Sequence, residues 1–407
     1  MTAVRLRLSA MMFLEFFIWG AWLPLIFGYL GPGGLGFTPA QQSWTLNAFA
    51  LASLTAMFFS TQFADRNFAA QKFVAFSHLV GGLSILALTW TQSFWPFFVL
   101  MLVHSLFYVP TISITNSIAF ANLRDPQREF GPVRLWGTIG WIVASWPFVF
   151  ILTPESGPTA KASTFLVAGI ASLLLAALSL TLPHTPPHRR KEGAGVERFA
   201  WLEALRFLKT PYVAVLFVVT FFDAAVHQGY FVLTDTFLTQ GIGIPQNWVM
   251  PVMSLGQIAE IGTMAILGYA LKSLGWRKTM TLGVLGHVVR FGVFALLPQK
   301  SLVVAVILLH GICYAFFFAT VYIFIDEFLP KDARSSAQGL FNFLILGLGP
   351  FVGNIVWPGL KDAFTVNGVI DFRSLFLAPA ATALIAAELL LFFFRPPQRS
   401  VPAAAVH

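Results

Sequence analysis

The sequence predicts an all-α membrane protein of twelve transmembrane helices, arranged as two pseudo-repeated six-helix halves. Three observations carry that expectation: an apolar composition, recurring windows of about 20 apolar residues, the length that crosses a hydrocarbon core, and a self-similarity at one sequence offset. Of 407 residues, 57% are hydrophobic and only 10% charged, with 44 Phe and 12 Trp. Soluble domains carry roughly 25% charged residues, so the solvent of this chain is the lipid bilayer.

The windows fall near 9–30, 42–63, 73–90, 95–120, 135–152, 162–182, 211–238, 248–271, 279–297, 302–328, 337–359 and 374–394. The fifth is interrupted by glycines. Short connections leave no room for a separate soluble domain, and no cleavage pattern follows the first window, which reads as a retained helix. The single cysteine, Cys313, lies in an apolar run, so no intramolecular disulfide and no thiol chemistry are expected.

Lys and Arg give the direction, because cytoplasmic loops carry an excess of both. With the N-terminus inside, 20 of them fall on inner segments and 4, Lys161, Lys300, Lys361 and Arg373, on outer ones, with Arg290 inside the ninth span. Both termini are therefore expected in the cytoplasm. The net charge of +8 reflects this asymmetry and not nucleic-acid binding.

The halves span 1–183 and 210–407, joined by a cytoplasmic linker at 184–209. Its Pro, Gly and mixed charges suit a tether, ending in a short amphipathic helix around Trp201–Phe207. "VHSLFY" at 103–108 matches "LHGICY" at 309–314, an offset of 206, and Glu15 and Asp223 are 208 apart. "DRNFAAQK", 65–72, and "KSLGWRK", 272–278, follow the second span of each half. For Arg66, Arg277 and Lys278, a role in loop charge contacts and a plain positive-inside anchor stand side by side. Parallel halves of six helices with a solute site near the midplane describe the major facilitator arrangement.

Polar groups inside a membrane are costly and face one another, water or a solute. Gln257 and Glu260 are three apart and share a helix face. An amide beside a carboxylate suits a hydroxyl-rich solute; an interhelical clamp is the alternative use. In "GPVRLWGTIGW", 131–141, Arg134, Thr138 and Trp141 form one stripe of cation, hydroxyl and ring, while Gly137 and Gly140 permit close helix approach. In the tenth span His310, Tyr314 and Phe317 form another stripe, with His104 and Tyr108 as its copy in the fourth. The seventh span holds Asp223, His227, Gln228 and Tyr230, with Asp223 and His227 one turn apart as a proton-sharing pair. Glu15, Asp223 and Glu260 are the candidate proton sites, since a buried uncompensated carboxylate takes up a proton. Asp235, Asp326 and Glu327 read as interfacial, and Arg290 as a counter-ion for a carboxylate.

These motifs resemble the bacterial nucleoside:proton symporter family of the major facilitator superfamily. The resemblance rests on "FLEFFIWGAW" at 13–22, "VRLWGTIGW" at 133–141, "GQIAE" at 256–260, "RFGVFA" at 290–295 and "ARSSAQG" at 333–339. It implies proton-coupled uptake of a nucleoside by alternating access, with Arg134, Thr138, Trp141, Gln228, Gln257 and Glu260 binding the solute. Trp141 with Phe317 or Tyr314 would pack on the base. It also implies a bacterial inner membrane. Two departures stand out: His310, Tyr314 and Ala315 occupy places where the family has a tyrosine and then Phe-Asp, and Phe231 replaces an asparagine. The family's acid in span ten is thus absent, and another carboxylate must carry the proton, or coupling has changed.

Other classes fit less well. No GxxxxGK[ST] motif supports ATP-driven pumping, and no HExxH or paired-cysteine set supports a membrane metalloenzyme. A carrier for a nucleobase, sugar derivative or drug-like solute is the nearest alternative. No enzyme activity, cofactor or metal is expected, and the chain is expected to act as a monomer.

Overall fold

The computed structural model describes residues 3–32, 34–59, 68–153, 155–186, 205–329 and 334–397. Arg66, the linker residues 187–204 and Lys331 lie outside the described residues. The chain divides into two compact units, Met1–Gly195 with Ile244–Ser254, and Val196–Gly243 with Leu255–His407.

In the first unit α1 is Ala3–Leu30, α2 Pro39–Phe59, α3 Ala70–Ala87, α4 Phe94–Asn122, α5 Pro126–Ala144 and α6 Ser163–Ser179. Helix α1 packs on α5, α6 and α4, while α3 packs on α4 and α6. The α1–α5 contact is close because glycines remove side chains where the backbones meet. A Cβ on Gly140 would lie 2.1 Å from the Phe13 carbonyl oxygen, and one on Gly20 would lie 2.9 Å from that of Trp141. The sequence suggests that glycines interrupt the fifth span, but Gly137 and Gly140 lie within a continuous helix. Helix α5 runs through them and stops at Ser145–Pro147, before a single turn at Phe148–Ile151. Proline lacks the N–H that would continue the ladder.

In the second unit α7 is Pro211–Thr236, widened at its end by a π turn, Phe237–Gly241. The loop expected between spans eight and nine is only a kink. One helix, Val249–Leu296, whose residues up to Ser254 belong to the first unit, bends at Gly275, whose φ of 74° suits a residue without Cβ. We number its two arms α8 (249–274) and α9 (276–296). Helix α10 is Lys300–Phe328 and contains a π segment, Tyr314–Ala319. Helix α11 runs from Arg334 to Ala363 through a second π segment, Phe343–Leu348. Helix α12 is Phe372–Phe393.

A two-residue hairpin joins α11 to α12, pairing β1 (Thr365–Val366) with β2 (Val369–Ile370). Its turn, Asn367–Gly368, has φ of 51° and 80°, the positive pair that Asn-Gly turns favour. Asp371 then caps α12, accepting from the Ser374 backbone N–H at 3.2 Å.

Among the described residues ten helices are long and apolar enough to span a membrane. One of them, Gln246–Leu296, supplies both α8 and α9, and α2 adds a further 21-residue helix, in accord with twelve crossings. The outer surface is apolar as well as the core: Phe150 is 86% exposed and Tyr269 76%. Such a surface is stable only against lipid tails.

Candidate functional site

The first unit builds its polar group on α5. Arg134 is half-buried, with its guanidinium carbon 3.9 Å from the centroid of the Phe16 ring, a cation–π contact. Gly137 makes room for both partners, because a Cβ there would meet Arg134 Nη1 at 2.6 Å and Phe16 Cδ2 at 2.7 Å. One turn along, Trp141 stands edge-on to Trp19 with centroids 5.2 Å apart, and Trp19 stacks on Phe49 at 4.9 Å. Arg134, Thr138 and Trp141 are all half-buried on this helix. The expected stripe therefore exists, braced from behind by two aromatic residues of α1.

Beside it lies a buried network centred on Glu15, which is wholly inaccessible. His78 Nε2 on α3 is 2.9 Å from Glu15 Oε2, and the Thr111 hydroxyl on α4 donates to Oε1 at 2.7 Å. Tyr108 donates its hydroxyl to the Glu15 backbone carbonyl at 2.6 Å. The other nitrogen of His78, Nδ1, is 3.0 Å from Ser172 Oγ on α6, and that hydroxyl donates to the His78 carbonyl at 3.0 Å. His104 stacks on Tyr108 at 5.3 Å and bonds through Nδ1 to the Gly81 carbonyl at 3.0 Å.

The second unit places Gln257 and Glu260 on α8 where α8 and α10 nearly touch. A Cβ on Gly256 would lie 2.9 Å from His310 Cβ, and one on Gly311 would lie 2.6 Å from the Glu260 nitrogen. Gln257 is 7% exposed and Glu260 half-buried. On α7, Gln228 is half-buried and donates to Asn354 Oδ1 on α11 at 2.8 Å.

Behind these residues Arg290 is fully buried between α7 and α10. Its Nη2 is 2.7 Å from His287 Nδ1 and its Nη1 3.3 Å from His310 Nδ1, and the guanidinium lies 4.2 Å over the Tyr230 ring. A guanidinium has no acceptor. Both Nδ1 atoms therefore accept, and the ring protons of His287 and His310 sit on Nε2. His287 Nε2 then faces Asp223 Oδ1 at 3.7 Å, longer than a hydrogen bond.

One sequence expectation changes here. Asp223 faces His287 rather than His227, whose ring packs on His310 at 4.9 Å and on His287 at 5.6 Å. Arg290 grips two histidines, and its charge also acts on the Asp223 carboxylate, without a described salt bridge between them. Asp235, next to the end of α7, is wholly buried within the protein. The His310 stripe also splits. His310 points into the Arg290 group, Tyr314 is half-buried, and Phe317 is fully buried against Gly283 of α9. The π segment that begins at Tyr314 widens the turn and takes Phe317 out of the α-helical register.

Two residues that sequence reasoning passed over belong to these groups. His78 lies 209 positions before His287, the same repeat that linked Glu15 with Asp223, so the signal was present. Asn354 had none, since nothing marks it among the other residues of span eleven.

A model of the nucleoside H+ symporter family matches residues 2–399. The Escherichia coli protein YegT is 31% identical, over 98% of this chain and 96% of its own. Xanthosine permease of the same organism is 30% identical, over 97% and 96% respectively. In fold, the crystal structure of an aspartate-to-alanine mutant of the nucleoside transporter NupG superposes with a TM-score of 0.88. It is 24% identical, and the match covers 96% of this chain and all of that one. The chain belongs to the nucleoside H+ symporter family and is a multi-pass secondary membrane transporter of the major facilitator fold, not an enzyme.

Proposed function

We propose that this transporter takes up a nucleoside together with a proton across a bacterial inner membrane by alternating access. In this reading it works as a monomer with both termini in the cytoplasm. The observation that carries the solute assignment is the stripe on α5. Arg134, Thr138 and Trp141 offer a cation, a hydroxyl and an indole face at one-turn intervals, each braced or half-buried. Ribose hydroxyls and a flat base need that combination. Gln228, Gln257, Glu260 and Tyr314 in the second unit extend the same chemistry, with the Glu260 carboxylate as acceptor for two sugar hydroxyls. His310 and Phe317 support this set from behind. Family membership and the xanthosine permease relationship favour a nucleoside over other polar solutes.

The test is uptake of labelled uridine, adenosine and xanthosine into proteoliposomes, with and without an inward proton gradient. Wild type should accumulate at least one of them under the gradient. A charged hydrogen bond contributes about 1.5–3 kcal/mol, so Glu260→Gln should lower uptake at subsaturating solute about ten- to a hundredfold. Folded, oriented wild-type vesicles that take up no nucleoside would refute the solute assignment. The departures at Phe231, His310 and Ala315 make a nucleobase or sugar derivative the second reading, and competition by such compounds against labelled nucleoside separates the two.

A further inference from the structure

We infer that the transported proton binds in the first unit, on the pair formed by Glu15 and His78, with Thr111 and Ser172 setting its position. The inference rests on the proposed proton-coupled function and names the site that this function needs.

Counting protons on the network gives the argument. Ser172 Oγ lies 3.0 Å from both the His78 carbonyl and His78 Nδ1; with its single proton on the carbonyl, it accepts from Nδ1. With Nδ1 protonated, the 2.9 Å contact between Nε2 and Glu15 Oε2 contains one further proton. That proton sits either on the ring, opposite a carboxylate, or on the carboxyl, opposite a neutral ring. Both arrangements are neutral overall, and they are the loaded state. Releasing one proton leaves a carboxylate beside a neutral imidazole, a net charge of −1; the remaining ring proton then sits on Nε2 facing Glu15, and Ser172 turns its hydroxyl to donate to Nδ1.

Thr111 accommodates either state. Its one hydroxyl proton has two acceptors in reach, Glu15 Oε1 at 2.7 Å and the Tyr108 carbonyl at 2.5 Å. Gly82 keeps Ser172 close to α3, since a Cβ there would lie 2.9 Å from the hydroxyl.

The pair is faced by groups from three further helices. Facing it from α4 are Tyr108, which donates to the Glu15 backbone, and His104, stacked on that tyrosine. From α5 comes Arg134, whose guanidinium lies over the Phe16 ring. From α3 and α6 come His78 itself and the neutral Ser172. The equivalent pair of the second unit is different. His287 is pinned by the permanent cation of Arg290, which keeps its Nδ1 unprotonated, and Asp223 is out of hydrogen-bond range of its Nε2. That group has a fixed charge where the first has a variable one.

The site is also connected to the proposed solute residues. Glu15 precedes Phe16, which lies beneath Arg134, and Trp19 one turn on touches Trp141. A change of charge at Glu15 alters how α1 is held to α3, α4 and α6. The same movement of α1 shifts the two rings that brace Arg134 and Trp141.

Two readouts test this separately from the solute assignment. Infrared difference spectra of the purified protein between acidic and alkaline buffer need no solute. We expect a carboxyl C=O band that is missing from Glu15→Gln and shifted in His78→Gln. The same band, unaltered in both variants, overturns the inference. In proteoliposomes with a trapped pH dye, uridine entry should acidify the lumen of wild-type vesicles. Both variants should keep uridine counterflow within about threefold, at roughly 1.4 kcal/mol per decade, and lose the acid signal. Acidification at the wild-type ratio in either variant overturns it as well. Where these variants fold poorly, Thr111→Val is the milder probe. It removes one donor to the carboxylate, so the Glu15 C=O band should shift, and an unmoved band counts against the site. Absence of uridine counterflow in wild type strikes at the proposed solute instead, and the infrared band still decides the proton site.

Discussion

His78 and His287 occupy the same place in the two repeats, and each turns its Nε2 towards a carboxylate on the first helix of its own half. The first stands at hydrogen-bond distance from Glu15, the second 3.7 Å from Asp223. The difference follows from one residue. Arg290 captures Nδ1 of His287, whereas the same nitrogen of His78 meets a serine hydroxyl. A duplicated unit has thus diverged into a group with a variable proton and a group with a permanent cation.

The permanent cation should matter chiefly for stability. Arg290 is fully buried and donates to two histidines from one planar fork, a geometry that lysine cannot reproduce. Arg290→Lys should lose one of the two bonds, about 1–3 kcal/mol, and show a lower Tm in detergent. Arg290→Ala should fall further, because His287, His310 and Asp223 are left without their shared partner. A Tm within a degree of wild type for both would show that the cluster is not a structural clamp.

The glycines of α5 allow two effects to be separated within one helix turn. At Gly137 a new Cβ meets the far end of the Arg134 side chain and the Phe16 ring, and at Gly140 it meets the Phe13 backbone. A side chain swings away at little cost, but a backbone does not. Gly137→Ala should therefore displace the guanidinium and raise KM for solute several-fold with a small change in Tm. Gly140→Ala should push α1 from α5 and lower Tm and expression while a folded fraction keeps its KM. Equal effects on both quantities in the two variants would contradict the geometry.

Much of this was legible in the sequence. The spans followed from the need to cover about 30 Å of hydrocarbon, and Arg134, Thr138 and Trp141 from plain helical spacing. Spacing failed where helices leave the α register. Phe317 lies past the start of a π segment and turns into the core, a change that no pattern of apolar residues announces. The Asp223–His227 pairing failed for a related reason. Local spacing put them one turn apart, but the histidine that reaches Asp223 comes from α9, through a tertiary contact. The Asn367–Gly368 hairpin was readable from "VNGV" and was passed over because the membrane frame predicts only helices.

Outside the membrane-spanning segments, Asp371 supplies a pH-dependent contribution. The Ser374 hydroxyl at 2.6 Å and then its backbone N–H at 3.2 Å donate to the Asp371 carboxylate and hold its pKa below the usual value. A carboxyl lowered in the folded state stabilises above its unfolded value, near 3.8, and loses that contribution as pH falls through the lowered one. Asp371→Ala should therefore reduce Tm at neutral pH. The gap to wild type should narrow steadily once the buffer drops below about pH 4, and a gap that stays constant with pH would rule out the capping carboxylate as its source.

Asn354 is the residue whose role the fold reveals most directly. It is 2% exposed, on α11, and its side-chain oxygen accepts from Gln228 Nε2 at 2.8 Å. That bond commits one donor of the Gln228 amide to the protein and fixes which way the amide faces, leaving its oxygen for a solute donor. Gly353 beside it keeps the two helices close, since a Cβ there would lie 3.0 Å from Gln228 Cβ. Asn354→Ala should free the amide to rotate. One neutral hydrogen bond is worth about 1 kcal/mol, so KM for solute should rise about fivefold, with little change in the maximal rate. Asn354→Asp keeps the acceptor and should restore most of the affinity, provided the solute chemistry is otherwise unaltered. Counterflow measured over a range of nucleoside concentrations distinguishes these outcomes. A fall in maximal rate at constant KM would show instead that Asn354 acts on the movement of α11 and not on the aim of Gln228.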